Sequence, residues 1–66
     1  MDDGVPILRP CEAAELLGVH LSRLRRLEAA GRLVTVRTLG GHRRYRLDDV
    51  EALGRWLARQ AAAAAA

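Results

Sequence analysis

All eleven basic residues of this chain are arginines, and eight of them crowd into positions 20–46: Arg23, Arg25, Arg26, Arg32, Arg37, Arg43, Arg44 and Arg46. One acid, Glu28, shares that stretch, so it carries +7. The remainder holds three arginines against seven acids, for −4, and the chain nets +3. A guanidinium presents a planar fork of donors that fits phosphate oxygens and the polar edges of bases. A block this dense, flanked by acidic ends, points to a polyanionic partner.

Other chemistries have less to stand on. Cys11, His20 and His42 match no common zinc spacing, and no fourth ligand is evident. Gly40-Gly41 is followed by His-Arg-Arg rather than by Gly-Lys-Ser/Thr, so it is not a phosphate-cradling loop. No pair of carboxylates falls in a convincing cleft. The expectation is a protein without catalytic residues, metal or cofactor.

At 66 residues the chain makes one domain at most. A domain of this size buries about 60% of the surface its unfolded chain exposes, leaving little room for both a core and a deep cavity. Half the residues are apolar, enough for a core. The single Cys11 forms no internal disulfide. No apolar run is long enough to span a bilayer, and acidic residues 2 and 3 are unlike the start of a signal peptide. The expected compartment is the cytoplasm, with no membrane partner.

Three helices and a hairpin must position the arginines. Pro10 suits a first helical position, and Glu12 just inside complements the positive helix end. Ala13, Ala14 and Leu17 then share a face, and Gly18 provides a stop. A second helix starts near His20 or Leu21. Leu24, Leu27 and Gly31 line one side of it. Ser22, Arg26 and Ala29 line the other, flanked by Arg23 and Arg25. Two short helices joined by a Gly-containing turn make a helix-turn-helix pattern. From Arg32 to Thr38 the residues favour a strand. Leu39-Gly40-Gly41-His42 marks a turn, and Arg43 to Arg46 reads as the returning strand. Period-two alternation puts Arg43 and Tyr45 on one face and Arg44 and Arg46 on the other. Val50, Leu53, Gly54 and Leu57 repeat at helical spacing in a third helix. The core candidates are Leu24, Leu27, Leu33, Val50, Leu53 and Leu57. Trp56 borders the apolar stripe, where it covers the core edge or serves self-association. The fold class is mainly α with a small β-hairpin, divided into an arm at 1–6, a domain at 7–60 and an alanine-rich tail at 61–66.

The stretches Gly18-Val19, Leu24-Arg25-Arg26-Leu27-Glu28 and Gly31, followed by Val36-Arg37-Thr38-Leu39-Gly40-Gly41-His42-Arg43-Arg44-Tyr45-Arg46, resemble the winged helix-turn-helix of the MerR superfamily. The likeness runs from about Ile7 to Leu57 and is nearest to the short BldC-like regulators; phage excisionases share the fold and a weaker version of the pattern. It implies that the second helix enters the major groove of double-stranded DNA and that the wing reaches the adjacent backbone or minor groove. It also implies base or phosphate contacts for Ser22, Arg23 and Arg26, a phosphate contact for Arg25, and wing contacts for His42 and Arg43. Tyr45 resembles a packing residue. Arg9 and His20 stand where relatives place better capping residues, so looser helix starts are expected.

Arg44 joins the contact set as a neighbour on the wing, and Arg37 and Thr38 join it beside the turn. Glu28, at the apolar edge of its helix, is expected to pair with an arginine internally. Larger relatives continue into a dimerising coiled coil and an effector domain past the point where this chain ends. The expectations are therefore a monomer in solution, self-association on DNA, and no small-molecule effector. Four functions compete: a sequence-preferring transcriptional regulator, an excisionase-like factor that bends DNA, a basic module for an acidic protein, and an RNA binder. RNA binding generally needs stacking platforms, and only Trp56 and Tyr45 are aromatic. If about four to six arginines meet phosphates, log K falls against log salt with a slope of about −4 to −5 per bound monomer. A binding titration series across salt concentrations measures it, and a slope near about −1 would leave most of the block without phosphate contact.

Overall fold

A computed structural model describes residues 4–65. Positions 1–3 of the expected arm and position 66 of the tail lie outside the described residues. The elements run β1 (Ile7–Leu8), α1 (Pro10–Leu17), α2 (Leu21–Ala29), β2 (Val36–Arg37), β3 (Arg43–Arg46) and α3 (Leu47–Ala65).

Both N-terminal helices end in the same way. Gly18 takes φ 70° and Gly31 φ 81°, left-handed values that a side chain disfavours. The Val19 amide then donates back to the Ala14 carbonyl at 3.0 Å and the Arg32 amide to that of Leu27 at 2.9 Å. Each glycine amide bonds inside that longer loop, Gly18 to Glu15 and Gly31 to Glu28. These paired bonds are the Schellman closure of a helix. Both helix starts carry a side-chain bond although the usual Ser or Thr caps are missing. The Glu12 carboxylate accepts from the Arg9 amide at 2.8 Å. The His20 ring accepts from the Ser22 amide through Nδ1 at 3.2 Å, standing in for a capping hydroxyl.

The sheet has three strands in the order β1-β3-β2, all antiparallel. Val36 pairs with Arg44 and Arg37 with Arg43 across the wing, while Ile7 pairs with Arg46 and Leu8 with Tyr45 on the other edge. The β1 strand was not anticipated, because two residues between Pro6 and Arg9 are too short to show alternation. The expected strand over 32–38 is shorter than its composition suggests. Leu33 turns into the core and the Arg32 guanidinium lies over the Trp56 ring, 4.1 Å from its centre. Tertiary packing thus overrides β propensity until Val36.

The core consists of Ala13, Ala14, Leu24, Leu33, Tyr45, Val50 and Leu53. Leu27, Leu57 and Trp56 are partly buried against it, as are Leu8, Leu17, Val19 and Leu21. The alanines of α1 let α2 and α3 pack close to it. β3 passes into α3 without a loop, and the Arg46 side chain grips Asp48 through Nε at 3.2 Å and Nη2 at 3.1 Å. Three helices with a small antiparallel sheet form the winged helix-turn-helix expected from the sequence. The alanine run continues α3 as far as Ala65.

Gly54 lies inside α3, where glycine costs helix stability through backbone entropy. A methyl group there would meet Leu17 Cδ2 at an ordinary 3.5 Å. Gly54→Ala is therefore expected to raise the unfolding free energy by about 0.5–1 kcal/mol, read from urea denaturation followed by circular dichroism.

Candidate nucleic-acid interface

The turn between α1 and α2 spans Gly18 to His20. Leu24 is fully buried, and Leu21, Leu27 and Glu28 are partly so. The opposite side of α2 carries Ser22, Arg23, Arg25 and Arg26, all exposed. Ser22 is partly engaged, since its hydroxyl lies 3.0 Å from His20 Nδ1. The three arginines share this outward surface with no acidic side chain, because the one acid of α2 is turned the other way.

That acid, Glu28, fastens the wing to α2. Oε1 accepts from the Tyr45 hydroxyl at 2.7 Å, and Arg43 Nη1 lies 3.5 Å from the same oxygen. Oε2 accepts from the Thr35 hydroxyl. Tyr45 is completely buried, so its hydroxyl needs this partner. The Thr35 bond, followed by the Tyr45 bond and the charges of Arg43 and Arg37, holds the Glu28 carboxyl below its ordinary pKa despite opposing desolvation. Burial, with the bond to the anionic Glu28, pushes the Tyr45 phenol up, so it stays a donor through the neutral range.

The remaining contact candidates lie on the wing. Arg37, Thr38, His42 and Arg43 are exposed, and Arg44 is half-buried. The Thr38 amide donates to the His42 carbonyl at 3.1 Å, and the Gly41 amide to the Thr38 carbonyl at 2.9 Å. The Thr38 hydroxyl accepts from the His42 amide at 3.3 Å, so Thr38 also braces the turn. Arg37 Nη1 reaches the Gly41 carbonyl at 3.4 Å, and Arg44 Nη1 the Arg43 carbonyl at 2.6 Å. The structure therefore groups the candidates into two sets, one on α2 and one on the wing, linked through Glu28.

Glu28 pairs inward with an arginine, as its place on the helical wheel suggests, and that arginine is Arg43. The roles of Thr35 and of the Tyr45 hydroxyl were missed. Period-two alternation faced Tyr45 and Arg43 the same way, but it did not bring α2 beneath them. Thr35 carried no signal beyond β propensity. Among the described residues, no group of three His, Cys, Asp or Glu side chains is placed to hold a metal ion. No helix among them is long and apolar enough to cross a membrane.

A helix-turn-helix with a basic second helix and an attached wing defines a class of DNA-binding domain. The family model for the helix-turn-helix domain matches residues 7–61, and the chain belongs to that family. No curated protein matches it.

Loss of the Glu28 charge should loosen the wing. Because the folded pKa is depressed, the stabilisation is complete above the ordinary glutamate pKa of about 4.3 and is lost as pH falls through the lower folded value. Glu28→Gln is expected to cost about 1–3 kcal/mol near neutrality. The gap from wild type should close in acid, as measured by denaturation at several pH values. A gap independent of pH would show that the charge itself does not fasten the wing.

Proposed function

We propose that this protein is a sequence-preferring transcriptional regulator of the MerR-superfamily type, near its short BldC-like branch. Helix α2 lies in the major groove, and the wing over 37–46 rests on the neighbouring backbone or minor groove. Residues 7–60 form the binding unit, with 1–6 as an arm and 61–66 as a tail. The observation that carries this reading is the acid-free face of Ser22, Arg23, Arg25 and Arg26, beside a wing tied to that helix through Glu28. A rigid link between the two surfaces lets one docking event set both contacts. An excisionase-like bending factor is the second reading, favoured by the apolar residue at the wing tip.

The roles divide by position. Arg26 lies mid-face on α2, where a forked side chain reaches the O6 and N7 edge of guanine. Arg25 and Arg23 flank it towards the phosphates. Arg43 lies on the wing, and its 3.5 Å contact with Glu28 is long enough to yield to a phosphate. Arg37, Thr38, His42 and Arg44 complete the wing surface. Base contacts carry sequence information, whereas phosphate contacts carry affinity.

Arg26→Ala is therefore expected to cost about 1–3 kcal/mol on the preferred site and to relax selectivity at one or two base pairs. Arg43→Ala should weaken preferred and random DNA by similar factors and reduce the salt slope by about one. Mobility-shift titrations of both variants on the preferred site, single-base variants and random duplex, at two salt concentrations, separate the roles. Uniform loss with Arg26→Ala and altered base preference with Arg43→Ala would reverse the assignment.

A further inference from the structure

The most exposed large apolar side chain among the described residues is Leu39, at 110% of its reference area. A lone leucine on a surface needs no explanation by itself. This one, however, sits at the extreme of the wing, in a turn closed by the Thr38–His42 and Gly41–Thr38 backbone bonds and the Thr38 hydroxyl. The Arg37 side chain adds a further bond to Gly41. The tip is thus braced from inside rather than by contacts of Leu39.

Gly40 and Gly41 follow Leu39 and carry no side chain, and the His42 ring lies against Gly40, where a methyl would come within 3.1 Å of it. Behind the leucine stand Arg37, Arg43 and Arg44 on the paired strands. An apolar tip with cations on the strands behind it matches the chemistry of a minor groove, where phosphates line both walls and stacked bases form the floor. Proteins that kink DNA insert apolar side chains of this kind between base steps.

We propose that Leu39 is an apolar wedge that enters the minor groove and opens a base step, kinking the duplex while the wing arginines hold the flanking phosphates. The proposal rests on the DNA-binding reading of the wing. Removing the leucine from water favours the complex, while unstacking the step opposes it. The net loss on truncation is expected to be about three- to tenfold in affinity.

The test uses duplexes selected from a random pool by the wild-type protein, labelled at their ends with a fluorescent donor and acceptor. Wild type should shorten the end-to-end distance, reporting a bend of about 20–90°. Leu39→Ala should retain the wild-type melting temperature, bind about three- to tenfold more weakly and lose most of the bend; Leu39→Met should preserve the bend. A Leu39→Ala complex bent like the wild type, or a wild-type complex with straight DNA, overturns the wedge while leaving DNA binding intact. Loss of cooperativity between adjacent sites, with single-site bending unchanged, also overturns it and assigns Leu39 to a neighbouring copy. Failure of the wild-type protein to select any duplex removes the DNA-binding reading together with the wedge.

Discussion

The Glu28 carboxylate takes hydrogen bonds or charge from three parts of the chain: Thr35 in the connector, Arg43 at the start of β3, and Tyr45 inside the sheet. A hairpin built from strands as short as β2 and β3 is marginal in water without further support. Here β1 supports one edge of β3, and Glu28 supports its underside from α2. Tyr45 is completely buried, so its hydroxyl would lose solvation without regaining a bond if the carboxylate were absent. Glu28 and its donors thus tie the wing to the second helix.

The same acid explains how the basic block keeps its field. Glu28 is the sole negative residue between positions 20 and 46, and it spends its charge inward. The arginines of α2 face solvent without a neutralising neighbour on that helix. Farther along, Asp48 lies under Arg46 at the junction of β3 and α3, where the Arg46 bond holds its carboxyl below the ordinary range. There the acid orders a strand-to-helix junction. Glu28 and Asp48 thus bond within the fold, while Arg23, Arg25 and Arg26 remain exposed on α2.

Small side chains allow so short a chain to close a core. Ala13 and Ala14 are buried where larger residues would hold α1 away from its neighbours. Leu24, Val50 and Leu53 then fill the space among the three helices, and Leu33 brings the connector down onto them. Arg32 covers the edge of this core by lying over Trp56, a contact that combines apolar packing with attraction between a cation and a ring face. Not every arginine of the block, therefore, faces a partner. Arg32 caps the core and Arg46 ties the β3–α3 junction, whereas Arg43 stays exposed while it lies 3.5 Å from Glu28.

Sequence alone determined the elements whose signals are local. The stops at Gly18 and Gly31, the apolar stripe through Leu24 and Leu27, the outward arginines of α2 and the returning strand at 43–46 follow from helical or strand period and from glycine's tolerance of left-handed backbone. The inward role of Glu28 followed from its place on the helical wheel. Tertiary structure alone decided what that carboxylate meets, because Thr35 and Tyr45 are seven and seventeen residues away and no periodic signal spans such distances. It also decided that Ile7–Leu8 is a strand, since two residues become one only when the exposed edge of β3 offers them partners. It shortened β2 by drawing Leu33 into the core, where burial outweighs strand propensity. The cap at His20 likewise escaped the sequence pattern: a side-chain oxygen is the usual acceptor there, and here the imidazole Nδ1 takes that place once the backbone is set.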